Sequence, residues 1–211
     1  MAVSELMRTR VKICGLTSID DALMVAASGA DAIGLVFYEP SPRHVTIEQA
    51  QKIAQAIPAF VTKTALFVNP TVEYVQDVLR MVKIDLLQFH GDESPAFCEQ
   101  FGLSYIKAIR MQADTNLLQI AHAYDLSAGL LLDAYKEGVP GGTGEQFNWS
   151  WVPACFPKPI ILAGGLEPGN IANAIAQVKP WAVDVSGGVE ESKGVKSGQK
   201  ITQFMQQVAM R

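Results

Sequence analysis

The stretches Pro159–Gly165 (Pro-Ile-Ile-Leu-Ala-Gly-Gly) and Ala182–Glu190 (Ala-Val-Asp-Val-Ser-Gly-Gly-Val-Glu) decide the fold. Each is a short apolar run that ends in a glycine pair, and a helix-like segment follows each. Glycine lets a ligand approach the main chain, and N–H groups at strand-to-helix corners can cradle a phosphate. One such corner alone reads more readily as a tight turn. Two in tandem, closing a chain of alternating strands and helices, point to the phosphate site after the last two strands of a (β/α)8 barrel.

The rest of the chain carries the alternation. Apolar, β-branched runs occur at Val11–Cys14, Ala32–Phe37, Val61–Val68, Asp85–Phe89, Tyr105–Ile109, Gly129–Leu132, Ile160–Ala163 and Ala182–Val185. Helical periodicity lies between them, at Ser18–Ser28, Thr46–Ala56, Thr71–Val82, Ser94–Phe101, Thr115–Ala123, a short piece near Ser150–Phe156, Pro168–Val178 and Ser197–Met210. Ser18, Thr46 and Thr71 are suited to cap their helices, and Pro168 to a first turn. Strict alternation implies a parallel sheet with helical crossovers, and eight units permit closure. An open doubly wound sheet would call for GxGxxG after the first strand. That position reads Cys14-Gly15-Leu16-Thr17. The fold class is therefore a single-domain α/β barrel over residues 11–211, with residues 1–10 as an N-terminal extension.

Composition narrows the function. Of the 211 residues, 49% are hydrophobic and only 18% charged, which suits a compact domain. The net charge of −4 comes with no basic stripe, so nucleic acid is not an expected partner. No apolar run is long enough to span a bilayer, and the N-terminus lacks a secretory h-region, so no membrane partner is expected. The cysteines Cys14, Cys98 and Cys155 fit neither a disulfide framework nor a CxxC metal site. A cytoplasmic location and no metal are the resulting expectations. Cys98 and Cys155 read as core.

Side chains alternate across a strand. If Val11 and Ile13 face the helices, Lys12 and Cys14 point into the barrel. The same logic turns Gln88, His90, Asp133, Asp184 and Ser186 inward. Buried polar groups are costly unless paired, so a set of them converging at strand C-termini suggests a pocket. Each has a plainer reading alone. Cys14 would be an inert core residue, His90 a structural one, Asp133 a cap, Asp184 the partner of Lys12, and Arg43 a solvated surface residue.

Several motifs follow one another in the order of a known family. They are Lys12-Ile13-Cys14-Gly15-Leu16, Gly34–Phe37 with Ser41-Pro42-Arg43-His44-Val45, and Gln88-Phe89-His90-Gly91. Leu132-Asp133-Ala134 with Gly141–Gly144, Leu162–Leu166 and Asp184–Glu190 complete the series. Together they resemble the phosphoribosylanthranilate isomerases of tryptophan biosynthesis, across nearly the whole chain after Arg10. The resemblance implies a cofactor-free Amadori rearrangement of N-(5-phosphoribosyl)anthranilate to 1-(2-carboxyphenylamino)-1-deoxyribulose 5-phosphate. It implies Cys14 as general base and Asp133 as general acid. It assigns the phosphate to Gly164, Gly165, Ser186 and Gly187, the anthranilate part to Arg43, and pocket positions to Gln88, His90 and Asp184.

The chemistry sets conditions. Asp133 would have to hold a proton well above the ordinary Asp value of about 3.9. Cys14 would have to ionise, although a free thiol titrates near 8.5; Lys12, two residues back on the same face, is a source of positive potential for it. The loop Lys136–Phe147, rich in glycine, would serve as a lid or as a plain exposed loop. A monomer and a homodimer are both compatible. An indole-glycerol-phosphate synthase would call for catalytic lysine and glutamate, and a ribulose-phosphate epimerase for a metal site. A non-catalytic phosphosugar-binding barrel remains the alternative from another class.

Overall fold

The computed structural model describes residues 8–134 and 146–209. Eight parallel strands close into a barrel in sequence order: β1 (Arg10–Cys14), β2 (Ala32–Val36), β3 (Thr62–Phe67), β4 (Leu86–Phe89), β5 (Tyr105–Met111), β6 (Gly129–Ala134), β7 (Ile160–Leu162) and β8 (Ala182–Val185). β8 pairs with β1, which places Lys12 beside Asp184.

Seven α-helices are described: α1 (Ile19–Ala27), α2 (Ile47–Ala56), α3 (Val72–Met81), α4 (Pro95–Glu99), α5 (Leu117–Ala123), α6 (Ile171–Val178) and α7 (Gly198–Ala209). Ser18, Thr46 and Thr71 cap their helices through side-chain oxygens, as expected. The helix expected near Ser150–Phe156 is a single 3-10 turn, Trp149–Trp151. Pro153 and Pro157 leave no room for helical propagation there. Cys155 is exposed in this segment, so its expected core position is corrected; Cys98 is buried in α4, as expected. Pro168 also falls outside the first turn of α6, which starts three residues later behind Asn170.

The alternation of side chains builds two cores. Val11, Ile13, Leu130, Leu132 and Val183 face outward and pack under the helices. Ile106, Ala108, Leu131, Ile161, Ala163 and Ala182 fill the barrel interior. Apolar packing thus occupies part of the barrel interior. Inward positions nearer the strand C-termini are polar: Lys12, Gln88, Asp133 and Asp184 are all at least nine-tenths buried. After β8 the chain forms a 3-10 turn (Gly187–Val189) and a short hairpin of β9 (Glu190–Ser192) and β10 (Val195–Lys196) before α7. That hairpin lies beside the mouth and lines it with Glu190, Glu191 and Lys193.

Candidate active site

A cavity of about 700 Å³ opens at the C-terminal ends of the strands. Cys14, Arg43, Gln88, His90, Asp133, Gly164, Gly165, Asp184, Ser186 and Gly187 all line it. Connecting segments meet there because parallel strands carry their βα-loops at one end. Every candidate residue named from the sequence is therefore brought to one place.

Cys14 is the last residue of β1 and is buried. Below it, Lys12 donates to Asp184 Oδ1 at 2.9 Å, so Asp184 is also the buried partner of Lys12. The Lys12 ammonium and the Cys14 sulfur both stand against Gly34, 3.0 and 2.5 Å from where a Cβ on that glycine would lie. Burial pushes the Cys14 thiol up, Lys12 and Lys196 pull it down, and Asp184 pushes it up again. The net direction is up. Lys12 acts in the expected sense, but burial outweighs it. Burial likewise pushes the Asp184 carboxyl up, with Lys12 opposing.

Asp133 sits near the end of β6. Its Oδ1 accepts the Ala134 N–H at 2.8 Å and its Oδ2 lies 3.1 Å from His90 Nε2. The Gln88 amide nitrogen is 3.0 Å from His90 Nδ1. With that nitrogen donating, Nδ1 accepts and Nε2–H donates to Asp133, which fixes both the tautomer and the ring. Gln88 and His90 thus first serve to orient Asp133. Gln88 Oε1 is buried with no hydrogen-bond partner among the described residues.

The glycine corners stand between these groups. Gly164 and Gly165 have φ of +81° and +60°. A Cβ on Gly164 would come within 2.7 Å of the Ala134 nitrogen, so a side chain there would be both strained and blocked. Ser186 Oγ donates to the Cys14 carbonyl at 3.0 Å and ties the second corner to the strand that carries the thiol. Asn170 Nδ2 donates to the Gly165 carbonyl at 2.7 Å and braces the first. Of the expected lid, residues 136–145 lie outside the described residues. Gln146 reaches the Gly165 carbonyl at 3.5 Å.

Opposite the corners, Val36, Tyr38, Leu66 and Val68 give the cavity an apolar wall beside Cys14. Arg43 is not a free surface residue. It forms a bidentate pair with Glu190, Nε to Oε1 at 2.7 Å and Nη2 to Oε2 at 2.8 Å. Burial pushes the Glu190 carboxyl up, but Arg43 and Lys196 outweigh it and hold it below the usual range. Glu190 and Lys196 received no role from the sequence, although Glu190 closes a quoted motif. The signal available was an acid and a base six residues apart around Gly194, which a tight hairpin sets opposite each other.

Among the described residues no cluster of three or more His, Cys, Asp or Glu side chains is arranged to hold a metal ion. No described helix is long and apolar enough to cross a membrane.

The model of one protein family, N-(5′-phosphoribosyl)anthranilate (PRA) isomerase, matches residues 11–207. The chain belongs to the PRA isomerase family. The match runs from the first barrel strand into α7, so the PRA isomerase pattern covers the whole barrel. A relative from Pseudomonas fluorescens, named N-(5′-phosphoribosyl)anthranilate isomerase, is 57% identical over 199 residues, covering 94% of this chain and 95% of its own. The PRA isomerase structure from Thermus thermophilus superposes with a TM-score of 0.87 at 33% identity, over 96% of this chain and 99% of its own. A further PRA isomerase structure holds reduced 1-(o-carboxyphenylamino)-1-deoxyribulose 5-phosphate. It has a TM-score of 0.84 and 34% identity, over 96% of this chain and all of its own.

Proposed function

We propose that this chain isomerises N-(5′-phosphoribosyl)anthranilate to 1-(2-carboxyphenylamino)-1-deoxyribulose 5-phosphate in tryptophan biosynthesis, with Asp133 as acid and Cys14 as base. One observation carries the assignment of residues: Cys14 on β1 and Asp133 on β6 line the same cavity as both glycine corners. A phosphate held at Gly164, Gly165, Ser186 and Gly187 leaves the sugar lying between thiol and carboxyl. The phosphate is remote from the reacting carbons, so its binding energy serves positioning.

Asp133 gives a proton to the furanose oxygen. The C1′–O bond breaks, the nitrogen lone pair forms the C1′=N bond, and a protonated imine results. This cation acidifies C2′–H. Cys14, as thiolate, takes that proton; the C2′–H pair becomes the C1′=C2′ bond of an enolamine and the C1′=N pair returns to nitrogen. The C2′ hydroxyl then gives its proton to water while C1′ takes one from water, which yields the amino-ketose, and exchange with water returns a proton to Asp133 and removes one from Cys14. Electrons only rearrange within the substrate, so the balance requires no redox partner. Ala134 N–H and His90 Nε2–H hold the Asp133 carboxyl at its post. The anthranilate ring rests on Tyr38, Leu66 and Val68, with its carboxylate toward Arg43. Lys12 supplies positive potential to the Cys14 thiolate.

All the groups named here come from one chain, which is compatible with a monomer and with a homodimer. Three unpaired cysteines support a reducing, cytoplasmic compartment.

The test is turnover of freshly made phosphoribosylanthranilate, followed by loss of its fluorescence. Cys14→Ser and Asp133→Asn are each expected to lower kcat/KM by about 10²–10⁴-fold, the usual scale of a lost acid or base. Full activity in both would remove the two assignments. Ligand binding without turnover in the parent chain would instead make it a phosphosugar-binding barrel.

A further inference from the structure

Three N–H-bearing groups converge on one buried carboxylate at the rim. Glu190 Oε1 accepts from Arg43 Nε at 2.7 Å and from Lys196 Nζ at 2.9 Å; Oε2 accepts from Arg43 Nη2 at 2.8 Å. Lys196 is buried and its ammonium also donates to the Cys14 carbonyl at 2.6 Å and the Ser186 carbonyl at 3.2 Å. So Glu190 joins the arginine of the rim to the main chain of the thiol strand and of the second glycine corner. Its own place is set by the hairpin, where Lys196 pairs in register with it.

Arg43 reaches this carboxylate across Gly15. A Cβ at Gly15 would stand 2.5 Å from Arg43 Cδ, and one at Gly187 would stand 3.2 Å from Nη2. The side chain therefore threads between two bare backbone segments, and its guanidinium is presented in one orientation. Glu190 uses the Nε and Nη2 edge and leaves Nη1 for another acceptor. A planar fork held on one edge is pre-organised to meet a second carboxylate on the other, at little entropic cost.

We propose that Glu190 is a positioning residue that sets the preference of this site for a ligand carrying an aryl carboxylate. It does so by holding Arg43 in place, with Lys196 anchoring Glu190 to the backbone of Cys14 and Ser186. The inference rests on the reading that Arg43 receives the anthranilate carboxylate. Glu190 touches no reacting atom; it acts through Arg43.

An amide cannot replace this carboxylate. Glu190→Gln offers one acceptor and one NH2 group to N–H donors that arrive on both oxygens. Lys196 is enclosed and keeps its carbonyl partners, so Arg43 is the group released.

Calorimetric dissociation constants test this with two non-reacting ligands. One is the reduced 1-(2-carboxyphenylamino)-1-deoxyribulose 5-phosphate; the other is the same compound built on aniline. Their ratio measures discrimination for the carboxylate and cancels general damage to the pocket. The parent chain is expected to prefer the carboxylate. Arg43→Ala should reduce that preference by tenfold or more, Glu190→Gln by a comparable factor, and the double variant by no more than Arg43→Ala alone. If Glu190→Gln does not fold, Glu190→Asp keeps the charge, draws the carboxylate back by one methylene, and carries the same expectation.

Intact discrimination in Arg43→Ala would overturn the reading of Arg43 itself. Lost discrimination in Arg43→Ala but not in the Glu190 variant would overturn the inference and leave that reading standing. Higher discrimination without Glu190 would also overturn it, because Glu190 would then be a competitor for Arg43. Equal weakening of both ligands would reduce Glu190 to a structural brace.

Discussion

The two flanks of the barrel mouth are built on different physical principles. On the β8–β1 side the thiol lies among ionic groups: Lys12 with Asp184, and Lys196 with Glu190 and Arg43. On the β4–β6 side Asp133 is held by a chain of hydrogen bonds, Gln88 to His90 to Asp133, closed by the Ala134 N–H. The proposed roles of Cys14 and Asp133 account for the difference. A buried thiol has to become an anion, which burial opposes, so cations must be kept close to it. A carboxyl that donates a proton needs direction above all, and hydrogen bonds supply that. A further buried lysine–carboxylate pair stands behind the acid flank. Lys107 Nζ binds Glu93 at 3.1 Å and the Gly91 carbonyl at 2.6 Å, while Glu93 accepts the Asn69 and Gly91 N–H groups. Neither Lys107 nor Glu93 lines the cavity. It is a rivet for the loops after β3 and β4, whereas Glu190–Lys196 opens onto the cavity through Arg43.

The sharpest way to break this division is to compare the rivet with the chemistry. Cys14→Ser or Asp133→Asn should remove about 3–5 kcal/mol of transition-state stabilisation while thermal unfolding changes little. Lys107→Met should do the reverse. It strands a buried carboxylate, which costs about 3–5 kcal/mol of folding stability. Denaturant titration reads that loss, and whatever protein remains folded should turn over with a KM near the parent's. A large KM change in Lys107→Met would mean that the rivet shapes the ligand site after all.

Lys12→Met probes the ionic flank and has a smaller effect. Lys12 opposes the upward push of burial on Cys14, so its loss should move the pH midpoint of Cys14 alkylation further up. Its loss also frees Asp184, which pushes the thiol up while ionised. The Asp184 carboxyl is itself raised by burial and can take up a proton, which limits both the stability cost and this second push. An unchanged alkylation profile would end the role of Lys12 as a source of potential for the thiol.

What the sequence made legible was whatever period two controls. Once Val11 and Ile13 are assigned to the helices, Lys12 and Cys14 must point inward, and the same holds for Gln88, Asp133 and Asp184. The glycine corners were legible because positive φ and close approach select glycine and little else. What stayed hidden depends on contacts between distant segments. Arg43 and Glu190 are 147 residues apart, and Cys14 and Lys196 are 182 apart. A loop arginine alone reads as solvated, and a lysine just beyond a glycine as surface. Only the hairpin after β8 brings them inward. Local propensity also misread Ser150–Phe156, where Pro153 and Pro157 break a helix that the apolar spacing suggested.

Gln88→Met asks whether the acid flank is as tolerant as its hydrogen-bonded build implies. The change removes one hydrogen bond, from the Gln88 amide to His90 Nδ1, worth about 1 kcal/mol net. It also removes Gln88 Oε1, a buried acceptor without a partner among the described residues, whose desolvation costs about 1–3 kcal/mol. These effects oppose each other, and no charge is stranded. Folding stability should therefore stay within about 1 kcal/mol of the parent, or rise. The loss falls on direction instead: without its donor, His90 can turn or exchange tautomer, and Asp133 loses a fixed partner. The expected fall in kcat/KM is less than about tenfold, because one hydrogen bond of about 1 kcal/mol is lost and Ala134 N–H still holds Oδ1. Thermal melts and steady-state kinetics on one preparation read both numbers. Destabilisation by about 3 kcal/mol or more, the size expected for a stranded charge, would show that the acid flank is as ionic as the base flank. The contrast between them would then have to be abandoned.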